Sequence, residues 1–389
     1  MGVPKRNPWL SSLGVLFAVL AVYIGQARAD VTSDTPGSIV IYPKVIADGT
    51  RDTLIQLTNT SNVGTSVHCF YFDGTSDPPC QHDDFFLDLT PQQPVHWRAS
   101  TGRRPDDSTP GLFLGLVPPR LQFQGELKCI QVDASGVPIG GNAFKGEALI
   151  ETLGNGQISE YNAIAIQNIT NPAPTLTCSN IPGKVCTSAQ DCQDPTNPAI
   201  VGTCAIVLKL DNAMYNACPS ELLVTHYAQG ATDLFSGATV NSEITLVPCT
   251  EDIENNSPTA PLSPPVIANV TPFNEMELLT GSRQVAVTCW ANLSLGDVAF
   301  GGDGQLGPGH GGVYDSSVDG TFVMTRIRTS AAAGQGLLGV LEEFHCLNNT
   351  ACGPASKDAG GTPDAGTAAV NFYGQGSRVP GDTITVPEN

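Results

Sequence analysis

Positive charge is scarce in this chain: 18 Lys and Arg stand against 37 Asp and Glu, for a formal net charge of −19. Such a surface repels nucleic-acid phosphates and anionic lipid, so neither is expected as a partner. Long apolar runs are also lacking. The best candidate, Leu13 to Ile24, falls short of the ~20 residues needed to cross a bilayer, and the C-terminal GDTITVPEN is not an apolar tail. Lys5 and Arg6 precede the run and Ala27-Arg28-Ala29 follows it, so residues 1–29 read as a secretory signal peptide cleaved before Asp30. Cleavage would remove Lys5, Arg6 and Arg28 but no acid, taking the charge from −19 to −22. The expected mature protein has no membrane span and is secreted or sits on an extracellular surface, with the periplasm as the other exported compartment.

The signatures of catalysis are missing as well. The chain contains no Gly-x-Ser-x-Gly elbow, no His-Glu-x-x-His pair and no Gly-x-x-x-x-Gly-Lys phosphate loop. Glu342 and Glu343 are adjacent on an expected strand, which points them to opposite faces and spoils them as an acid and base pair; a solvated edge is the expectation. His68, His82 and His96 fall near Asp83 and Asp84, residue types that bind metals, but no two have a local ligand spacing. His226 and His345 are solitary and read as structural. No organic cofactor is called for.

Cysteine, by contrast, is plentiful. All twelve residues follow the signal: Cys69, Cys80, Cys129, Cys178, Cys186, Cys192, Cys204, Cys218, Cys249, Cys289, Cys346 and Cys352. An even count in an exported chain predicts disulfides throughout and no free thiol. Pairing is expected among Cys178, Cys186, Cys192 and Cys204, which lack the close Cys-x2-Cys spacing of a zinc site. Cys346 is expected to bond Cys352, with Cys289 as its rival partner.

Forty-one Gly and thirty Pro, mostly between short β-branched and aromatic runs, exclude long helices and predict an all-β protein. Strands are expected at Ser38 to Val45, Gly125 to Val132 and Lys145 to Leu153. Thr53 to Thr58 and Val67 to Phe72, separated by a turn-rich break, predict a hairpin whose second strand is covered on both faces. A second set of runs, EITLVPC, VIANVTPFNE, RQVAVTCWANL, GTFVMTRIR and GLLGVLEEF, loosely repeats the order of the first. Arg283 to Leu293 alternates throughout, putting Val285, Val287, Cys289, Ala291 and Leu293 on one face.

The stretch Thr90-Pro91-Gln92-Gln93, which ends a strand, resembles the Leu-x-Pro-Gly-Gln turn of bacterial immunoglobulin-like domains, with Gln92 where Gly is usual. The resemblance implies two immunoglobulin-like β-sandwich domains, at 30–170 and 205–389. Between them the segment 171–204, with CTSAQDC and a following GTC, is similar to the Cys-rich loops of Dickkopf-like modules. An exported bacterial surface, adhesion or matrix protein without enzymatic activity follows, its partner a surface protein or polysaccharide. The alternatives are a carbohydrate-active or other hydrolase with a loop-built site, and a calcium-dependent ligand-binding module. For the last, Asp297, Asp303, Asp315 and Asp319 lie in the Gly-rich loop 296–320, where GGDGQLGPG resembles the calcium-binding nonapeptide repeat apart from Leu306; a solvated loop is the competing reading. Sequons stand at Asn59, Asn168, Asn255, Asn269, Asn292 and Asn348.

Overall fold

The computed structural model describes most of residues 31–295, together with 322–329, 336–346 and 368–372; within 31–295 the longest stretches it leaves out are 105–114, 207–218 and 249–264. The signal at 1–29, the acidic loop carrying Asp297, Asp303, Asp315 and Asp319, and Cys352 lie outside the described residues.

The fold is all-β, as expected, and its strands pair antiparallel. The N-terminal half contributes β1 (Val31–Thr32), β2 (Ile39–Ala47), β3 (Arg51–Asn59), β4 (Thr65–Asp73), β5 (Gln81–Leu89), β6 (Pro94–Arg98), β7 (Phe123–Val132), β8 (Phe144–Thr152), β9 (Gln157–Asn162) and β10 (Ile164–Ile166). They form one sheet folded over on itself. One layer runs β5-β4-β7-β2-β10-β1, the other β6-β3-β8-β9, and the two join where Ala47 of β2 pairs with Asp52 of β3. Val67, Cys69 and Tyr71 from the first layer meet Ile55, Leu57 and Trp97 from the second in a single core. The Trp97 indole N–H, which could not be left unbonded there, donates to the Tyr71 hydroxyl at 2.7 Å.

The expected hairpin does not form. β3 pairs with β6 and β8, whereas β4 pairs with β5 and β7, so 59–66 carries the chain from one layer to the other. Asn59 explains the crossing: fully buried, its amide group donates to the carbonyls of Val63 and Thr90 and pins the chain as it leaves β3. β4 itself is central and buried on both faces, as its sequence predicts. After β5 the turn at Thr90–Gln93 is closed by Gln93 Oε1, which accepts from the Thr90 N–H and hydroxyl at 2.7 and 2.8 Å. Gln92 sits at φ 55°, in the left-handed region that Gly occupies freely.

The segment between the halves pairs β11 (Leu176–Cys178) with β12 (Cys204–Ile206). The C-terminal half follows with β13 (Glu221–Tyr227), β14 (Ala231–Thr232), β15 (Thr239–Pro248), β16 (Val266–Asn274), β17 (Arg283–Val287), β18 (Ala291–Ser294), β19 (Phe322–Thr329), β20 (Leu337–Cys346) and β21 (Ala368–Phe372). One sheet runs β13-β19-β16-β17; the other runs β18-β15-β20-β21, with β14 also on β15. Leu222, Val270 and Ile327 of the first pack on Ile244, Leu246 and Leu341 of the second.

Here too the structure departs from the sequence reading. Arg283 to Leu293 is two strands: β17 belongs to one sheet and β18 to the other, the chain changing sheets over 288–290. The loose repeat in order is not a repeat in pairing, since β2 pairs with β7 and β3 with β8, whereas β15 pairs with β20 and β16 with β19. Glu342 is buried, not solvated, because the face of the β15–β20 pair that carries it is covered by the N-terminal half; Val340, on the same face, joins the N-terminal core.

Candidate functional site

The richest chemistry in the described residues lies along the seam between the halves. It starts with a break in β2. Tyr42 pairs with Leu127 and Val45 with Gly125, so Pro43 and Lys44 together oppose Glu126 in a β-bulge. Proline, which cannot donate to a ladder, is tolerated at such a point. Tyr161 holds the bulge: its hydroxyl donates to the Lys44 carbonyl at 2.6 Å and takes the Lys44 N–H at 3.2 Å. Burial pushes the Tyr161 hydroxyl far above its usual range, so it stays protonated for that bond.

Re-aimed by the bulge, the Lys44 ammonium crosses the seam. Its Nζ lies 2.8 Å from Glu243 Oε2 on β15 and 2.5 Å from Glu342 Oε2 on β20, with the Lys44 side chain completely buried. Burial pushes the Glu243 carboxyl up, but Lys44, Asn292 and Arg51 outweigh it and hold the group below the usual carboxylate range. Glu342 has further partners: Ser159 Oγ donates to its Oε1 at 2.6 Å, and Arg51 Nη1 stands 3.8 Å from its Oε2. Removing one member of such a buried set strands a charge out of water, which costs about 3–5 kcal/mol. The seam is therefore specific as well as tight.

Two neighbouring residues reinforce it. Cys289, in the sheet-changing segment, bonds Cys80 across 209 residues of sequence, so the rival pairing of Cys289 with Cys346 is overturned. Trp290 Nε1 donates to the Pro43 carbonyl at 3.0 Å, and its ring lies so close to Gly74 that a Cβ there would fall 2.5 Å from Trp290 Cε3. Lys128, buried beside Glu126 at 2.8 Å, adds a bond to the Pro248 carbonyl at 3.3 Å.

The remaining described cysteines are paired too. Cys178 bonds Cys192 and Cys186 bonds Cys204, keeping all four within their segment as expected, and Cys69 bonds Cys129 between β4 and β7. Cys178, Cys186 and Cys192 cluster closely enough to hold a metal, but their sulfurs are committed to disulfides. No described cysteine is free. Cys218, Cys249, Cys346 and Cys352 have side chains outside the described residues, so the expected Cys346–Cys352 loop lies there too.

The histidines do not converge. His68 contacts Asp84 Oδ2 at 2.8 Å and stacks on Phe86 at 3.8 Å; burial pushes its pKa down against the pull of Asp84. His82 lies against Phe72, Asp83 pairs with Arg120, and His96 is on β6 in the opposite layer. His226 is the expected structural histidine, with Nδ1 donating to the Tyr227 carbonyl at 2.7 Å and Nε2 accepting from Thr325 at 2.8 Å. A carboxyl pair that the sequence did not suggest joins β8 to β9. A hydrogen bond from Glu160, burial and the charge of Glu160 together raise Glu147 to about 7. A cleft of about 470 Å³ opens between Gly64–Ser66, Asp88–Pro91 and Val132–Ala134 with Ile139.

No family model matches this chain, and no curated protein is similar to it. Among solved structures, "Pleurotus Ostreatus Lectin (POL), apo form" aligns over 94% of this chain and 84% of that one, at 11% identity and a TM-score of 0.13, a level that carries no argument about fold or function. The four disulfides among the described residues fit an oxidising, extracellular type of environment. No helix among the described residues is long and apolar enough to cross a membrane.

Proposed function

We propose that this is a non-enzymatic exported protein of a cell surface or extracellular matrix. In this reading two immunoglobulin-like sandwiches, at 30–170 and 205–389, flank the Cys-rich insert at 171–204 and present a fixed surface to a protein or polysaccharide partner. The observation that carries the reading is the Cys80–Cys289 bridge across the seam. Units within one chain ordinarily move against each other, and enzymes use such motion to close on substrate. A bridge beside a buried ion cluster removes that freedom, which suits a load-bearing or display part better than a closing cleft.

The test has two arms. Labelling intact producing cells with a membrane-impermeant amine reagent should tag the chain, and the purified oxidised protein should turn over none of a panel of polysaccharide and ester substrates. Turnover that tracks the purified chain would move the hydrolase reading to first place. Protection from the label until the cells are lysed would defeat the surface assignment.

A further inference from the structure

We propose that Lys44 and Asn292 become joined by an intramolecular amide bond, formed within the folded protein with Glu243 as the proton carrier. The case rests on how the groups around Lys44 are arranged. Glu243 Oε2 is 2.8 Å from Lys44 Nζ and 2.9 Å from Asn292 Nδ2, so a single carboxylate oxygen bridges an amine and a carboxamide. The other end of that carboxamide is held as well: Thr245 donates its hydroxyl to Asn292 Oδ1 at 2.8 Å. The register sets this up, since Thr245 on β15 directly faces Asn292 on β18, and Glu243 lies two residues along the same face of β15. An ion pair alone would call for neither the asparagine nor the threonine.

These positions match the roles that aminolysis of a carboxamide requires. The Lys44 ammonium gives a proton to Glu243, which removes two charges from a dry site and leaves a neutral amine, the nucleophilic form. Nζ attacks Cγ of Asn292, and the Thr245 hydroxyl stabilises the negative charge building on Oδ1. Glu243 passes its proton to Nδ2 and takes one from Nζ as the Cγ–Nδ2 bond breaks. One C–N bond forms and one breaks, ammonia leaves, the remaining proton stays on Glu243, and nothing is oxidised or reduced. Glu342 stays out of the exchange because Ser159 and Arg51 share its charge.

The surroundings favour the step. Lys44 and Thr245 are completely buried, so the amine and the hydroxyl that faces Oδ1 are both held away from water. Holding amine and carboxamide on one carboxylate replaces a bimolecular encounter with a positioned one, worth an effective molarity of order 10⁵ M or more in well-oriented cases. The product replaces the Lys44–Glu243 ion pair by a neutral amide and leaves the Glu342 carboxylate to the Ser159 hydroxyl and the Arg51 guanidinium. The bond does not depend on the proposed function.

The test is the mass of the full exported chain after reduction and alkylation. We expect it one ammonia below the mass of the processed sequence, and a digest should give one thiol-resistant branched peptide carrying Lys44 and Asn292. Glu243→Gln should restore the full mass and separate the two peptides, and Asn292→Ala, at a half-buried position, should do the same without altering the buried charges. The wild-type mass decides the bond by itself, even if a variant fails to fold. A folded wild-type chain of full mass with separate peptides overturns the proposal, as does Asn292 found hydrolysed to Asp or bearing a glycan. A linked Glu243→Gln protein would remove Glu243 from the mechanism.

Discussion

Cutting the Cys80–Cys289 bridge should do more to this molecule than losing an ordinary cross-link. The perturbation is the double variant Cys80→Ala/Cys289→Ala, alanine being chosen because both sites are buried and a serine would bring in a hydroxyl needing a partner. For a separation of 209 residues, the loop-closure relation gives a stabilisation of about 5 kcal/mol through the constrained unfolded chain. The Cys69–Cys129 bridge offers a shorter path round that loop, but halving a loop changes the cost by only ~0.6 kcal/mol, so the figure stands. Guanidinium unfolding, with the other bridges intact, is the assay. Made in an Asn292→Ala parent, where no Lys44–Asn292 amide can form, the variant should lose about that much, and the parent's single transition should split in two, because apart from the connecting chain the N-terminal and C-terminal cores would then be joined only by the seam's non-covalent contacts. A variant that unfolds in one transition within about 1 kcal/mol of the parent would refute the loop-entropy reasoning.

Gln92→Gly should raise stability by several tenths of a kcal/mol to about 1, read as a higher urea midpoint, because Gln92 holds a left-handed φ of 55° that glycine adopts without strain. His226 is pushed down to about 4 by burial, so between pH 6.5 and 4 protons bind the unfolded chain in preference and stability falls as pH falls, by about 3 kcal/mol across the window. Melting midpoints against pH should show that slope, and His226→Asn should flatten it. Glu147 shifts the other way: raised to about 7, it binds its proton more tightly in the folded state, so its contribution is present at acid pH and lost as pH rises through 7. Glu160→Gln should abolish that loss, and a variant with an unchanged profile would remove the carboxyl pair as its cause.

What could be read from the sequence was mostly local. Strand positions followed from β-branched and aromatic runs, the burial of β4 on both faces from its unbroken apolar pattern, and the containment of Cys178, Cys186, Cys192 and Cys204 from their isolation between turn-rich stretches. The turn at Thr90–Gln93 was legible even though its left-handed site lacks glycine. What failed depended on distant partners. Neighbouring strands usually pair, and nothing in Asn59 to Ser66 announced that β3 and β4 would lie in opposite layers. Alternation ran unbroken through Thr288 to Trp290 because both sheets need the same period, so the change of sheet left no mark. Lys44 did leave one: a lysine after a proline, inside a strand buried along its whole length, is affordable only with partners, but the sequence could not say that they would come from β15 and β20.

The pairing of β11 with β12 also makes the Cys-rich segment separable. Leu176 faces Ile206 in that ladder, so the two points where the chain enters and leaves stand one strand spacing apart, ~4.8 Å. Both bridges of the segment close within it. A short turn could replace everything between Leu176 and Ile206 without stretching the chain on either side, and the excised piece could be grafted wherever another scaffold offers two adjacent antiparallel ends. For this protein, the insert is where natural length variation and engineered cargo would be tolerated, while 288–290, holding both the Cys289 bridge and the Trp290 contact, would not survive the gain or loss of a single residue.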